Sequence, residues 1–279
     1  MKRKIIDLAK ANKISEVGFC RMEEYFKRDQ MQKGVFSKNT PLNFDAKTAI
    51  VFGFGYYVNR EKGNISRYAW GQDYHVVAKK KMESVKSLLV KEGWKAEAFA
   101  DVGILNERLL AKLSGIAFIG KNSMAINSRL GSYFFIGYIL TDCDIEPDME
   151  NVQECMNCGK CMEVCPLGAL SGNEFLQERC LSYISQRKGE LSCEEMDAIE
   201  KNGMVWGCDN CQEICPHNIG IQETEIEEFK DDLITELHIS DMSNKEFKEK
   251  FGHRAFAWRG KSVILRNQNC IYNRKKNNS

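Results

Sequence analysis

The first half of the chain alternates between apolar stretches of strand length and longer stretches with helical spacing. Residues 2–12 and 22–33 carry apolar side chains at helical spacing, and residues 17–20 are typical of a short strand. Further strands are predicted at 48–55, 96–100 and 131–140, a strand followed by a turn at 118–122, and further helices at 73–92 and after 101–108. Strands and helices that alternate over about 145 residues predict an α/β or α+β sandwich.

The segment from Cys155 to Cys215 is organised around cysteines. It begins with Cys155-x-x-Cys158-x-x-Cys161-x-x-x-Cys165-Pro166 and ends with Cys208-x-x-Cys211-x-x-x-Cys215-Pro216. The first run has the spacing of a bacterial two-cluster ferredoxin, in which three cysteines hold one 4Fe–4S cluster and the fourth binds the other. Two such clusters need eight thiolates, and the runs supply seven because Val205 stands where the second run would begin.

The sharing of ligands between the two runs assigns most cysteines to a cluster. Zinc sites usually lack the C-x-x-x-C-P ending, which favours iron–sulfur clusters over zinc or disulfides. The eighth ligand is Cys180 or Cys193, and Cys180 is favoured because Cys193 lies in a charged, helix-like stretch after a turn at Gly189. The predicted ligands are Cys155, Cys158, Cys161 and Cys215 for cluster one, and Cys165, Cys208, Cys211 and either Cys180 or Cys193 for cluster two.

The composition indicates where the protein is located, but it does not indicate what it binds. The 279 residues carry 40 Lys and Arg against 39 Asp and Glu, so net charge favours no class of partner. Twelve cysteines without a signal peptide suit a reducing cytosol and metal binding, and no apolar stretch has the length of a membrane span. We therefore expect a cytoplasmic protein that does not associate with membranes.

The last 59 residues of the chain consist of an acidic segment followed by a basic one. Residues 221–250 contain ten acids and four lysines, whereas residues 251–279 contain seven Lys or Arg and no acid. This basic tail is either a solvated surface or a patch for nucleic-acid phosphate. From about residue 231 the pattern predicts a helix and a short closing segment.

Five patches of sequence occur in an order typical of one known family. They are residues 67–75, residues 101–108, residues 119–123 with 131–135, both cysteine runs with 180–183, and residues 259–261 with 266–267. On these patches the chain resembles the epoxyqueuosine reductase family and, more distantly, the corrinoid-dependent reductive dehalogenases. The resemblance implies an α+β fold with a nitroreductase-like α/β sandwich core and a ferredoxin-like module with two 4Fe–4S clusters. It divides the chain into a cobalamin-binding core (1–147), the cluster module (148–222), and a C-terminal helix with a basic tail that packs on the core (223–279).

The resemblance also implies an activity. It predicts a monomeric reductase that binds base-off cobalamin and receives electrons from an external low-potential donor through the clusters. It would reduce the epoxide of epoxyqueuosine in tRNA to queuosine, with tRNA contacts from the basic tail. The alternatives are a similar reductase of a small molecule, a ferredoxin-type electron carrier, and a protein that handles a corrinoid for a partner.

The family resemblance assigns roles to individual residues. Asp101 matches the proton donor above the cobalt, whereas its position alone favours a cap for the next helix. In a dry pocket such an acid would keep its proton at neutral pH. His75 would contact substrate or cap a helix, and Cys180 becomes the eighth cluster ligand. The predicted cobalamin contacts are Asp101, Asn122, Ser123, Met124, Ile126, Phe135, Ser182 and Tyr183.

The sequence also departs from the family pattern. The family usually continues into a helical-repeat domain that helps to hold tRNA, and this chain resembles a short version without it. Residues 103–106 replace a common Ala-Pro pair, Gln72 replaces an arginine, and His217 replaces a tryptophan. These differences concern substrate binding, since Asp101 and the cluster cysteines are retained.

Overall fold

The computed structural model describes residues 1–31, 42–101, 103–172, 174–240 and 242–277. The helices are α1 (Lys2–Ala11), α2 (Met22–Met31), α3 (Tyr74–Lys91), α4 (Glu107–Leu113), α5 (Lys160–Glu163), α6 (Leu181–Gln186), α7 (Cys193–Asn202), α8 (Asn210–Glu213), α9 (Asn244–Phe251) and α10 (Lys261–Asn277). The strands are β1 (Glu16–Arg21), β2 (Thr48–Gly55), β3 (Ala96–Ala100), β4 (Phe118–Ile119), β5 (Ala125–Ile126), β6 (Phe134–Thr141), β7 (Leu170–Ser171) and β8 (Glu174–Phe175).

A four-stranded antiparallel sheet with the order β1-β2-β6-β3 forms the centre of the first compact unit, which comprises residues 1–57, 74–156 and 220–227. Every residue of β2 is buried, which explains its nearly continuous apolar sequence. Helix α3 packs on β3 and β6, while α4 packs on β1, β2 and β6. The pairing of Ala100 with Gly137 places Asp101 at the carboxyl end of β3.

The second compact unit comprises residues 58–73, 157–219 and 228–279. Helices α5 and α8, which lie within the two cysteine runs, pack against each other, and α10 packs on α6 and α7. Asn267 of α10 is fully buried, and its Nδ2 donates to the carbonyl oxygens of Ser185 at 2.7 Å and Val205 at 2.9 Å. The Arg-Asn patch near the chain end therefore holds the cluster-bearing unit together.

Most predicted elements are confirmed, and the differences have local causes. The strand predicted at 131–140 begins only at Phe134, because Gly131 has a φ of +58° and forms a turn. The two-residue strand β5 was not predicted, since its pattern is too short to detect. The chain end holds two helices, α9 and α10, instead of one helix and a short segment. Positions 32 and 33 of the predicted helix at 22–33 lie outside the described residues.

Helices α7 and α9 begin where their sequences provide caps. Ser192 and Ser243 each accept a hydrogen bond from the backbone N–H three residues on, and the glutamates at those positions bond back. Among the described residues, none of the helices has the length and apolarity needed to cross a membrane. The three-part division at 147 and 222 stays a prediction, because compact units are defined by contacts and not by function.

Candidate functional site

Asp101 stands at the end of β3 with a left-handed backbone conformation, φ +60°. Its side chain is 55% exposed. The cap of α4 is Asn106, whose side chain accepts a hydrogen bond from the N–H of Leu109 at 3.2 Å. Asp101 is therefore not the helix cap that its position alone favoured, and its carboxylate is available for another role.

Two side chains of α3 hold the Asp101 carboxylate. The Tyr74 hydroxyl donates to Oδ2 at 2.8 Å, and Nε2 of His75 lies 2.9 Å from the same oxygen. The Tyr74 ring stacks between His75, at a centroid distance of 4.0 Å, and Phe135, at 4.1 Å. The hydrogen bond from His75, and then that from Tyr74, lower the pKa of Asp101 despite partial burial. At neutral pH Asp101 is a carboxylate here, opposite to the protonated acid expected in a dry pocket.

The loop after Asp101 is held by two tyrosine hydroxyls from other elements. The Tyr138 hydroxyl on β6 accepts hydrogen bonds from the N–H groups of Ile104 at 2.9 Å and Leu105 at 3.2 Å. The Tyr25 hydroxyl on α2 accepts a hydrogen bond from the N–H of Asn106 at 2.8 Å. Both tyrosines are buried, so the sheet and α2 determine where this loop lies.

Glu107, the first residue of α4, has a buried carboxyl group near Asp101. The backbone N–H of Asp101 hydrogen-bonds to this group. Its Oε1 atom is buried and has no hydrogen-bond partner among the described residues. Burial, and then the charge of Asp101, raise the pKa of Glu107 to about 8. Glu107 is therefore protonated at neutral pH, whereas Asp101 is ionised.

The predicted cobalamin contacts of the first unit differ in exposure. Asn122 and Ile126 are buried, so they offer a cofactor their backbone more readily than their side chains. Ser123, Met124 and Phe135 are partly exposed. Ser123 has a φ of +60°, and its carbonyl oxygen accepts a hydrogen bond from Nη1 of Arg108 at 2.6 Å. Contact between these residues and cobalamin stays a prediction.

Four of the predicted ligand cysteines lie near one another in the second unit, and their assignment to one cluster stays a prediction. The pKa of the Cys211 thiol is raised by burial and then by the charges of Cys208, Cys180, Asp209 and Cys165. Burial also raises the pKa of Cys208, to about 12. Thiols so buried need bound metal to remain thiolates. In the described part of the chain, no three His, Cys, Asp or Glu side chains converge as they would around a single metal ion.

Backbone amides surround the sulfurs of this group. The N–H of Ala169 donates to Sγ of Cys165 at 3.2 Å. The N–H groups of Ser182 and Tyr183 hydrogen-bond to Cys180. Ser182 and Tyr183, predicted to contact cobalamin, thus stabilise charge on the predicted eighth ligand, and their contact with the cofactor stays a prediction.

The predicted ligands of cluster one vary in exposure. Cys161 on α5 is buried, Cys158 is exposed, and Cys155 and Cys215 are partly buried. The positive φ of Asn157 (+54°) and Gly159 (+77°) bends the first run around Cys158. Among the residues that the structure describes, none of the cysteines forms a disulfide.

A buried carboxylate lies next to Cys208 in the second cysteine run. Asp209 is 2% exposed, accepts a hydrogen bond from the Ser66 hydroxyl, and accepts another from the N–H of Arg67 at 2.8 Å. Burial raises its pKa. These bonds connect the 67–75 patch to the second cysteine run within the second unit.

Several cations of the basic tail form internal bonds. Arg254 has a side chain only 2% exposed and pairs with Asp232. Arg266 donates to backbone carbonyls within residues 184–189, and Lys261 donates to the carbonyl of Met242. These three side chains act mainly within the fold.

Arg259 is placed differently. Its guanidinium lies 3.7 Å from the ring centroid of Trp258, which is 62% exposed. Both residues line a cavity of about 480 Å³ together with Lys248 and Lys261. The side chain of Arg274 lies outside the described residues. Among the described side chains of the tail, Arg259 and Trp258 combine a cation with an exposed aromatic ring, which are side-chain types that bind nucleic acids.

Sequence reasoning missed Tyr74, Glu107 and Tyr138 as site residues. Tyr74 and Glu107 lie inside patches that carry the family resemblance. The patches therefore indicated that these segments belong to the site, but they did not indicate what either side chain does. Tyr138 is an apolar-strand residue whose sequence context does not indicate a polar function.

Two family models match the chain. The model described as "4Fe-4S double cluster binding domain" matches residues 154–218, and that described as "Epoxyqueuosine reductase QueG, DUF1730" matches residues 40–102. The chain therefore carries an iron–sulfur double-cluster module, as the cysteine spacing predicted.

Solved structures confirm the α+β fold. A selenomethionine-labelled epoxyqueuosine reductase matches with a TM-score of 0.84 and 28% identity, over 97% of this chain and 80% of that one. An epoxyqueuosine reductase with an epoxyqueuosine-modified tRNA-Tyr stem loop matches with a TM-score of 0.81 and 27% identity, over the same shares. Reductive dehalogenases match at 14–15% identity with TM-scores of 0.45–0.49, a level that supports no inference. The nitroreductase-like detail stays a prediction.

Curated relatives are similar along almost the whole chain. The epoxyqueuosine reductase of Lactococcus garvieae is 33% identical over 96% of this chain and 85% of its own length. That of Staphylococcus aureus is 30% identical over 96% of this chain and 78% of its own. Identity and coverage at this level establish that the chain belongs to the epoxyqueuosine reductase family.

Proposed function

We propose that this protein reduces the epoxide of epoxyqueuosine in tRNA to queuosine, using electrons carried by two 4Fe–4S clusters. The observation that carries this proposal is the Asp101 carboxylate, held by Tyr74 and His75 at a strand end in a chain that also contains a double-cluster module. An electron carrier alone would not need such a site. Relatives over nearly the full chain are named for the same activity.

The reaction defines what the protein must supply. Removing the epoxide oxygen leaves a carbon–carbon double bond and releases water, which consumes two electrons and two protons. We expect the electrons to come from an external low-potential donor through the clusters. When bound, base-off cobalamin would supply the cobalt chemistry that delivers low-potential electrons to the substrate.

The residues of the chain suit that cofactor. Asp101 is half-exposed and lies beside the aromatic stack of Tyr74 and Phe135. Ser123 and Met124 offer partly exposed surface in the same unit. We propose that these residues, with the backbone of Asn122 and Ile126 and with Ser182 and Tyr183, contact cobalamin.

Asp101 would deliver protons to the departing oxygen. Its hydrogen bonds with Tyr74 and His75 orient the carboxyl group and stabilise it as an anion after it gives up a proton. The Tyr138 and Tyr25 hydroxyls hold the loop behind it, which fixes the position of the acid relative to a bound substrate.

We propose tRNA as the substrate because a solved relative contains an epoxyqueuosine-modified tRNA stem loop. In this chain the exposed ring of Trp258 could stack on a base, and Arg259 could bind phosphate. We further expect a monomer in the cytoplasm. The alternative substrate is a small molecule with an epoxide.

The first test is anaerobic reconstitution with iron, sulfide and cobalamin, followed by metal analysis, a visible spectrum and an assay with epoxyqueuosine-containing tRNA. About eight irons and one corrin per chain, with formation of queuosine, are expected. Eight irons without corrin or turnover would favour the electron carrier. Zinc in place of iron would refute the cluster assignment.

Paired cysteine variants test the ligand set. Cys180→Ser should lower the iron content by about four per chain, because cluster two loses a ligand. Cys193→Ser is the matched control, since Cys193 begins α7 and is exposed. Loss of iron in the control, with retention in Cys180→Ser, would contradict the choice of Cys180.

A further inference from the structure

We propose that Glu107 stores a proton for Asp101 and passes it to the Asp101 carboxylate during turnover. This inference rests on the proposed function and extends it to the source of the protons. Because Glu107 acts through Asp101, it is a positioning residue and not a catalytic one.

The Glu107 carboxyl group is buried and bonds to the backbone of Asp101. The backbone N–H of Asp101 hydrogen-bonds to the Glu107 carboxyl group, so the loop that carries one acid rests on the other. The second oxygen of Glu107, Oε1, is buried without a hydrogen-bond partner among the described residues. A buried, unpartnered carboxylate oxygen is costly, and a bound proton removes most of that cost.

The position of Glu107 would ordinarily favour the opposite charge state. An acid in the first turn of a helix is stabilised as an anion by the helix dipole. Burial outweighs that effect here and raises the pKa of Glu107 to about 8. Glu107 therefore does not act as an ordinary dipole-compensating acid.

Charged groups in the loop after β3, on α3 and on α4 act on Glu107. Asp101, in the loop after β3, raises its pKa, whereas His75 on α3 and Arg108 on α4 lower it. Tyr138 on β6 has its own pKa raised by burial and by the Glu107 charge, so it stays neutral. The pair of carboxyl groups thus holds one proton at neutral pH, on Glu107.

A proton on Glu107 would supply the protons that the reaction consumes. Asp101 is ionised in the described state, so it must receive a proton before it can give one. The Glu107 O–H bond breaks, the proton binds a carboxylate oxygen of Asp101, and Glu107 becomes an anion that regains a proton from water. Asp101 then gives its proton to the departing oxygen. Two such cycles, with two electrons from the donor, release one water per epoxide.

An infrared pH titration of the reconstituted protein tests the proton store without needing turnover. The wild type should show a protonated carboxyl C=O band that disappears near pH 8. Glu107→Gln should lose this band. Glu97→Gln is the matched control, because Glu97 is an exposed glutamate that pairs with Lys86, and it should keep the band. Asp101→Asn should shift the titration to lower pH, since the charge that helps to hold the proton is gone.

The pH profile of turnover tests the transfer. Glu107→Gln should lower kcat about 100-fold with KM nearly unchanged, and Glu107→Asp should restore part of the loss. A C=O band that is already missing at about pH 6 to 7, or a band that survives in Glu107→Gln, would overturn the proton store. A band with normal kcat and pH profile in Glu107→Gln would overturn the transfer. An expected band in a protein that reduces no epoxide would instead refute the proposed function.

Discussion

The Tyr138 hydroxyl should control the opening of the loop that carries Asp101. Tyr138→Phe removes one oxygen from a fully buried ring and leaves the N–H groups of Ile104 and Leu105 without their acceptor. An unsatisfied buried donor costs about 1–3 kcal/mol. Because this loop is half-buried and water can reach part of it, we take about 1 kcal/mol for each amide, or about 2 kcal/mol in total.

Hydrogen exchange followed by mass spectrometry measures this cost directly. A loss of about 2 kcal/mol in local stability corresponds to roughly 30-fold faster exchange of the two amides. Turnover should also fall, since a mobile loop no longer fixes Asp101. The matched control is Tyr272→Phe, which removes a hydroxyl that bonds His238 in the second unit and should leave loop exchange unchanged.

The result that would refute this reasoning is a loop whose exchange changes by less than about twofold in Tyr138→Phe. The two N–H groups would then not depend on the hydroxyl, and Tyr138 would matter only as an apolar ring.

Three further predictions concern charge. His75→Phe keeps a ring beside Tyr74 but removes the hydrogen bond that lowers the pKa of Asp101, so a carbon-13 titration should show that pKa rise. Since a lowered pKa stabilises the fold above the ordinary value of 3.8, the variant should melt earlier at neutral pH, and the difference should vanish as the pH falls through the lowered pKa of Asp101 in the folded protein. Arg254→Met should destabilise the protein by about 2 kcal/mol in urea unfolding yet leave tRNA affinity unchanged, because Arg254 is buried and pairs with Asp232. Arg259→Ala should weaken tRNA binding and lower the slope of log affinity against log salt by about one, and an unchanged slope would exclude it as a phosphate contact.

The sequence predicts most of the fold because its elements have strong local signals. The bounds predicted for β2 and β3 coincide with the structure. For β2 the reason is that a buried strand is a continuous apolar run between polar breaks, whereas β3 is a short, mostly apolar run interrupted by the exposed Glu97. The cysteine spacing likewise predicts the double-cluster module, because metal ligation imposes fixed intervals along the chain.

Other parts of the site depend on contacts between distant residues, which the sequence does not reveal. The pattern could not show that Tyr138 accepts two backbone hydrogen bonds, or that burial would leave a proton on Glu107. The charge of the basic tail likewise did not reveal the contacts that its side chains make. Its charge suggested a surface, yet Arg254 and Arg266 satisfy carbonyl groups inside the fold.

The eighth predicted ligand, Cys180, has a consequence for the assembly of the protein. With Val205 buried where a cysteine would otherwise stand, the proposed ligands of cluster two come from three separate stretches, at Cys165, at Cys180, and at Cys208 with Cys211. Insertion of that cluster would close two long loops at once, and the free energy of metal binding becomes free energy of folding. Maturation of the second unit should therefore be a single event in which iron–sulfur insertion and chain ordering occur together, and chain made without iron should be digested readily by proteases at residues 166–207.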